Sequence, residues 1–247
     1  MASSTTQKIA LVTGGNKGIG LETVRQLHAK GVTVILGSRN AERGEAAASK
    51  LASDGSVRAL KLDVENEADR SNAASYIEKE FGRLDILVNN AGVLLDDFGG
   101  ANATSTTALS LLRQTFEINF FAVVDLTQKL LPLIRKSPAG RIVNLSSILA
   151  SLTLHATEGS PIYEAKTFAY DASKAALNSF TVHLAHELRG TKIKVNSAHP
   201  GWVKTEMGGA GAPMEIEDGA KTSVELALLG DDGPNGGYLH MGSAIPW

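Results

Sequence analysis

The chain has 247 residues, a formal net charge of −2 and 43% hydrophobic residues, a composition typical of soluble globular proteins. It lacks the strong basic bias of nucleic-acid-binding proteins, and without cysteine it has no disulfide, thiolate metal site or thiol nucleophile. The polar residues 1–7 lack the apolar core of a signal peptide. No apolar run approaches the ~18 residues of a membrane span, so we expect a cytoplasmic protein with no membrane or nucleic-acid partner.

Short apolar runs and longer stretches of helical periodicity alternate along the chain. The apolar runs are rich in β-branched residues and occupy 8–13, 32–37, 57–62, 84–89, 141–146 and 192–197. Continuous runs of this kind are typical of strands buried on both faces. The main helical stretches lie at 19–31, 41–53, 65–82 and 107–135. In the first of them, Gly31 follows Lys30 as a stop signal.

This alternation predicts a Rossmann-type α/β fold, a doubly wound parallel sheet of about seven strands with helices on both faces. No internal repeat or linker divides the chain. We therefore expect a single domain over 8–247 behind a flexible tail at 1–7. The glycine-rich stretch 207–213 predicts a loop within this domain, because helix and strand signals resume after it.

A glycine cluster, TGGNKGIG at 13–20, follows the first predicted strand. A strand that runs through glycines into a helix is typical of a phosphate-binding turn, because the backbone approaches the pyrophosphate and the helix N-terminus offers free N–H groups. The spacing of Gly14, Gly18 and Gly20 differs from the common G-x-G-x-x-G pattern. A tight turn without a ligand is therefore the alternative interpretation.

The end of the second predicted strand indicates which dinucleotide the chain binds. An NAD site commonly places an acid here on the ribose hydroxyls, whereas a basic residue accommodates the 2′-phosphate of NADP. This chain has Ser38 and Arg39 with no acid, and Lys17 in the glycine turn adds a second positive charge. Two cations favour NADPH, with Arg39 as a guanidinium clamp on the phosphate. The alternative is that Arg39 is a solvated surface residue.

Seven motifs occur in an order and spacing that point to one family. They are TGGNKGIG at 13–20, LDV at 62–64, NNAG at 89–92, Asn119, the NLSS that ends at Ser147, Tyr170 with Lys174, and HPGWVKT at 199–205. Together they resemble the short-chain dehydrogenase/reductase family over nearly the whole chain. Lys17, Arg39, the NFF at 119–121 and the final PW most resemble its NADPH-dependent carbonyl reductase branch.

The resemblance implies a role for each matching residue. The catalytic tetrad would be Asn119, Ser147, Tyr170 and Lys174. The cofactor would be held by Gly14, Asn16, Lys17, Gly18, Ile19, Gly20, Arg39, Asp63, Val64, Asn90, Ala91, Gly92, Tyr170, Lys174, Pro200, Gly201, Val203 and Thr205. The substrate would meet Ser147, Tyr170, Tyr163 and Trp202. Ser147 is preferred to Ser146 because the family's catalytic serine is usually the second of the pair. Neighbouring residues in an extended strand point to opposite faces.

Hydride transfer to a carbonyl explains why these side chains are needed, because it builds negative charge on the carbonyl oxygen. That oxygen needs a hydrogen bond and then a proton, which the resemblance assigns to Ser147 and Tyr170. Tyr170 and Lys174 are four residues apart and share one helix face. An ammonium one turn away would lower the tyrosine pKa from its usual value of about 10. Asn119 would hold a water that links Lys174 to solvent, and no metal is required.

The segment before Tyr170 is longer than in most of the family, with 22 residues between Ser147 and Tyr170. The extra part, 152–166, is polar and contains Gly159 and Pro161, which predicts a loop or short helix near the site. Larger insertions at this point accompany monomeric carbonyl reductases. A monomer is therefore favoured, while a homodimer or homotetramer stays open.

Other candidate residues have weaker support. Tyr163, in the insertion, is a substrate-pocket or packing residue. His183 and His186 could ligate a metal from one helix face, but no third ligand is evident, so surface or interface histidines are the better interpretation. Trp202 and Trp247 are expected to pack.

The substrate pocket would come from 93–106, from 148–166, where His155 borders either substrate or solvent, and from 205–216. Its glycine-rich part predicts an adaptable cavity with broad carbonyl tolerance.

We therefore expect an NADPH-dependent oxidoreductase that reduces small ketones or aldehydes. One alternative is an alcohol or sugar dehydrogenase working in the oxidative direction. The cations Lys17 and Arg39 argue against it, because NADPH pools in this family usually serve reduction. A second alternative is a non-catalytic NADP(H)-binding sensor, but a pure binder needs neither Tyr170 nor Ser147.

Overall fold

Strands and helices alternate in the order that the sequence predicts. The computed structural model describes residues 7–97 and 104–247. The strands are β1 (Ile9–Val12), β2 (Thr33–Ser38), β3 (Val57–Lys61), β4 (Ile86–Asn89), β5 (Arg141–Leu145), β6 (Lys194–Ala198), β7 (Tyr238–His240) and β8 (Ser243–Ala244). The α-helices are α1 (Gly18–Ala29), α2 (Ala41–Leu51), α3 (Glu67–Phe81), α4 (Leu109–Phe116), α5 (Ala122–Ile134), α6 (Leu152–Ala156), α7 (Phe168–Glu187) and α8 (Ile216–Ala227).

The strands form one sheet in the order β3-β2-β1-β4-β5-β6-β7-β8. The first seven are parallel, and β8 is antiparallel to β7. The chain order reverses between β1 and β4, and open sheets bind ligands at the carboxyl ends of the strands beside such a reversal. The predicted Rossmann-type fold is confirmed. The sequence does not reveal β7 and β8, because these strands are only three and two residues long and largely lack buried apolar residues.

Helices cover both faces of the sheet, and each face has its own apolar core. Alternate residues of β1 enter opposite cores. Ile9 and Leu11 pack with residues of α3, α5 and α7, whereas Ala10 and Val12 pack with residues of α1, α2 and α8. The inner strands β1, β2, β4 and β5 are buried throughout, as their apolar runs predict. Only Val57 of β3 is fully buried, because β3 is the edge strand.

Two details of the helices matter for the site. Helix α1 ends at Ala29, and Gly31 behind it has a φ of 80°, as its stop signal predicts. The single helix expected at 107–135 is instead α4 and α5 joined by a π-helical turn, Glu117–Phe121. Turns of this type are frequent at functional sites, and this one contains Asn119.

The insertion forms the expected short helix. A 3-10 turn at Ile148–Ala150 leads into α6, and turns then connect α6 to α7. Ala150 is buried inside this turn. Most of the predicted tail, residues 1–6, and the 98–103 part of the predicted pocket lie outside the described residues. Within the described residues, none of the helices has the length and apolar character needed to span a membrane.

Candidate active site

The predicted site residues come together at the carboxyl edge of the sheet. The glycine turn follows β1, Arg39 follows β2, the NAG at 90–92 follows β4 and Ser147 follows β5. The strand ends lie side by side, since Val12 is in register with Val88, Asn89 with Asn144, and Leu145 with Ala198. The parallel sheet therefore places motifs from distant parts of the sequence around one crevice.

The glycine turn has the backbone of a phosphate cradle. Gly14 and Gly18 adopt φ values of 63° and 55°, which favour glycine. A Cβ on Gly20 would lie 2.3 Å from the Gly14 carbonyl oxygen, so only glycine fits there. The Asn90 amide donates to the Thr13 carbonyl at 2.8 Å and fixes the turn to the end of β4. No side chain caps the start of α1, which leaves its first N–H groups free for an anion.

Cations gather next to this cradle. Lys17 forms an ion pair with Glu206 from the loop behind β6, and both side chains are exposed. Lys17 lowers the pKa of the Glu206 carboxyl through this hydrogen bond, and Arg43 and Arg39 lower it further from a distance. Lys17 therefore contacts the exposed Glu206 carboxylate, and Arg39 and Arg43 lie near enough to act on its charge. This arrangement of cations fits a phosphate group. Arg43 is not among the coenzyme-binding residues that the sequence predicts.

Tyr170, Ser147 and Lys174 lie together at the start of α7. The Ser147 hydroxyl lies close enough to the Tyr170 hydroxyl to act on its pKa. Lys174 Nζ lies 5.7 Å from the centre of the Tyr170 ring and donates to the Leu145 carbonyl at 2.8 Å. Tyr170 and Lys174 are both buried, at 8% and 4% exposure. Of the neighbouring Ser146 and Ser147, whose side chains are expected to point to opposite faces, Ser147 therefore lies on the face of Tyr170.

Burial dominates the charge states of the tyrosine and the lysine. It raises the pKa of Tyr170 to about 12; the Ser147 hydrogen bond opposes this and the Asp171 charge adds to it. Burial also lowers the pKa of Lys174 to about 8. In the protein without a coenzyme the pKa of Tyr170 is raised, so the expectation that Lys174 lowers it is wrong. Removing both groups from water disfavours the phenolate and the ammonium alike.

Asn119 is held by the segment behind β4. Its Oδ1 accepts from the Val93 N–H and its Nδ2 donates to the Val93 carbonyl, both at 2.8 Å. Asn119 Oδ1 and Lys174 Nζ lie 3.1 and 3.3 Å from the position that a Cβ on Gly92 would take. Both atoms therefore border the small space above this glycine.

A buried histidine joins two loops of the site. His199 Nδ1 accepts from the Ile148 N–H at 3.1 Å and from the Gly201 N–H at 3.3 Å. Burial, with a smaller contribution from His240, lowers the pKa of His199 to about 3, so its ring is neutral and Nδ1 acts as an acceptor. His199 thereby couples the loop of Ser147 to the HPG turn, a role that the sequence interpretation did not assign.

We expect His199 to make the stability of the protein depend on pH. Its folded pKa is below its unfolded value, so the stabilisation is present above pH ~6.5 and is lost as the pH falls. Between pH ~7 and ~5, the free energy of unfolding should fall by about 2 kcal/mol more in the wild type than in His199→Asn, which keeps an acceptor. Urea unfolding of both proteins at the two pH values measures this, and parallel curves would contradict it.

Tyr163 and Trp202, which were predicted on the substrate side, are both exposed to different degrees. Tyr163 is partly exposed, with Lys166 Nζ 5.1 Å from its ring centre. Trp202 is 58% exposed and donates to the Gly208 carbonyl at 2.8 Å, so the prediction that it packs is wrong. Trp247 does pack, with its ring stacked on Tyr238 at 5.3 Å between centroids. Tyr238, which the sequence gave no reason to select, donates to the Ser147 carbonyl.

The comparisons with known proteins identify the family. The family model described as short chain dehydrogenase matches residues 8–215. The chain belongs to the short-chain dehydrogenase family. It is 34% identical to carbonyl reductase (NADPH) 1 of Mus musculus over 289 aligned positions, which cover 99% of this chain and all of that protein. It is equally identical to salutaridine reductase of Papaver bracteatum, with 94% of each chain covered.

The solved structures of two reductases have the same fold. The NADPH-bound carbonyl reductase from chicken fatty liver superposes with a TM-score of 0.84 at 25% identity, covering 98% of this chain and 99% of that one. Salutaridine reductase from Papaver somniferum gives 0.81 at 31% identity, covering 94% and 99%. This chain is therefore an oxidoreductase, and its relatives include reductases.

Proposed function

We propose that this short-chain dehydrogenase reduces ketones or aldehydes to alcohols with NADPH. The observation that carries the proposal is the buried Tyr170, whose ring centre lies 5.7 Å from Lys174 Nζ and whose hydroxyl lies near that of Ser147. A dinucleotide-binding sensor needs the cradle but not this pair of hydroxyls. The names of the relatives, carbonyl reductase and salutaridine reductase, support reduction.

The chain's own residues fit an NADP-type coenzyme. The uncapped start of α1 would bind the pyrophosphate, and Lys17, Arg39 and Arg43 would hold the 2′-phosphate in place of Glu206. Lys174 Nζ, at the space above Gly92, would hold the ribose hydroxyls of the nicotinamide. When bound, NADPH would supply the hydride to the carbonyl carbon.

Tyr170 would donate the proton. With a pKa raised to about 12 by burial, its phenol is protonated at neutral pH, which is the state that reduction requires. The Ser147 hydroxyl would hydrogen-bond the carbonyl oxygen and hold it next to the phenol. Lys174 and a water held by Asn119 Oδ1 above Gly92 would return a proton to Tyr170 from solvent.

Exposed aromatic side chains favour a broad substrate range. Exposed Tyr163, Trp202 and Trp247 would accept a range of small carbonyl compounds rather than one rigid ligand. The monomer favoured by the insertion stays a prediction, as does a cytoplasmic location.

A panel of ketones, aldehydes and alcohols tests the proposed activity. With NADPH, at least one carbonyl compound should be reduced with a kcat/KM about tenfold or more above that with NADH. Faster oxidation of alcohols or sugars with NADP+ than reduction of any carbonyl would favour the dehydrogenase alternative. Binding of NADPH without turnover of any compound would favour the sensor.

A further inference from the structure

The first turn of α7, which carries Tyr170, lacks a cap from its own N-cap residue. Thr167 occupies the N-cap position, and its side chain accepts no hydrogen bond from the helix. The N–H groups of a first helical turn have no partner within the helix and need one elsewhere when they are buried. Ala169 and Tyr170 are both buried, so their N–H groups depend on a residue from another part of the chain.

Asp96 supplies that partner from the segment behind β4. Its Oδ1 accepts from the Ala169 N–H at 3.1 Å and its Oδ2 accepts from the Tyr170 N–H at 3.0 Å. Asp96 is 6% exposed, and within residues 7–97 and 104–247 no cation forms an ion pair with it. Its negative charge is therefore stabilised by the two N–H groups and by the positive end of the α7 dipole.

The other carboxylate at this helix end has different partners. Asp171 accepts from the Thr167 N–H at 2.9 Å and from the Thr167 hydroxyl at 2.7 Å. Its Oδ2 also lies 3.3 Å from His155 Nε2, which fastens the insertion to α7. Because Asp171 is committed to these contacts, it cannot replace Asp96 at the Tyr170 amide.

The hydrogen bonds of Asp96 belong to a network that holds both the N–H and the carbonyl of Tyr170. The Tyr170 carbonyl accepts from the Ser173 hydroxyl at 2.7 Å, and Asn119 Nδ2 donates to that hydroxyl at 3.0 Å. Asn119 in turn bonds the Val93 backbone in both directions. Val93 and Asp96 belong to one short segment, so this segment holds the N–H of Tyr170 directly and its carbonyl through Asn119 and Ser173.

We propose that Asp96 is a positioning residue that fixes the height and direction of Tyr170 relative to Ser147. It contacts only the backbone of the helix and takes no part in the proton transfer. Without it, the first turn of α7 loses two hydrogen bonds, and the phenol of Tyr170 shifts from the place where it meets the carbonyl oxygen. Displacements of about 1 Å in such a geometry lower turnover by about 10²-fold. This inference rests on the proposed function.

The test compares Asp96→Ala and the isosteric Asp96→Asn with the wild type in carbonyl reduction. Asp96→Ala should lower kcat by about 10-fold to 10²-fold, while KM and the Kd for NADPH stay within about threefold. Asp96→Asn, which keeps one acceptor oxygen, should lose less. Asp85→Ala is the matched control, because Asp85 is also buried and accepts from a backbone N–H, that of Ile9 at 2.8 Å, at the opposite edge of the sheet. It should lower the melting temperature and leave kcat near the wild-type value.

A double variant separates positioning from general damage. If Asp96 acts through Tyr170, adding Asp96→Ala to Tyr170→Phe should cause no further loss in single-turnover rate. The inference is overturned if the two losses multiply, if kcat of both Asp96 variants stays within about twofold of the wild type, or if kcat and NADPH affinity fall together. Near-normal turnover of Tyr170→Phe alone would instead refute the proposed function.

Discussion

Tyr170→Phe should lower kcat for carbonyl reduction by about 10²-fold to 10⁴-fold, the range expected when a general acid is removed. The substitution deletes only the hydroxyl, which lies near that of Ser147, and the buried ring keeps its place on α7. The Kd for NADPH, measured by quenching of protein fluorescence, should change by less than about threefold. Steady-state and single-turnover rates with one substrate of the panel measure the loss.

Tyr76→Phe is the matched control for this variant. Tyr76 lies on α3, where its ring packs edge-on against Phe81 at 6.3 Å, and it is remote from the strand ends that form the site. Its hydroxyl should be removable without an effect on kcat. Tyr170→Phe with near-normal activity would refute the proton-donor role, whereas a parallel loss in both variants would indicate a general effect on folding.

Arg39→Asp should reverse the coenzyme preference. The substitution replaces a cation behind β2 with a carboxylate, which hydrogen-bonds ribose hydroxyls but repels a 2′-phosphate. A charge-assisted hydrogen bond contributes about 1.5–3 kcal/mol, so the Kd for NADPH should rise by about 10-fold to 10²-fold. The Kd for NADH, which has no 2′-phosphate, should stay constant or fall. Titration of each coenzyme into both proteins measures the two constants.

Lys50→Asp makes the same change of charge on the neighbouring helix. Lys50 is exposed in the last turn of α2 and lines the groove between α1 and α2 that Lys17 and Arg43 also line. If only the general positive field mattered, Lys50→Asp would weaken NADPH as much as Arg39→Asp. Equal losses for NADPH and NADH in Arg39→Asp would refute the 2′-phosphate assignment.

The sequence predicts those parts of the site that local spacing determines. Tyr170 and Lys174 share a helix face because they are four apart, and the glycine turn follows a strand and opens a helix. The sheet follows from its continuous apolar runs, because such runs suit strands covered on both faces. β3 shows where this pattern fails, since an edge strand with a similar run is largely uncovered.

Contacts between distant residues could not be predicted in this way. Asp96 and Ala169 are 73 positions apart, and Lys17 and Glu206 are 189 apart, so only the fold brings each pair together. Nothing in the composition of either segment marks Asp96 as a helix cap. The π-helical turn at Asn119 is equally invisible, because its residues fit the helical periodicity of 107–135. The charge states of Tyr170 and Lys174 depend on burial, which spacing alone does not give.

The central claim is that a hydride passes from NADPH to a carbonyl carbon at Tyr170 and Ser147. The most direct measurement uses NADPH deuterated at C4 of the nicotinamide with a ketone from the panel, followed by mass spectrometry and NMR of the product. The proposed function predicts one deuterium on the carbinol carbon of the alcohol with the wild type, and almost no labelled alcohol with Tyr170→Phe. Alcohol without deuterium at that carbon, or equal labelled product from both proteins, would contradict it.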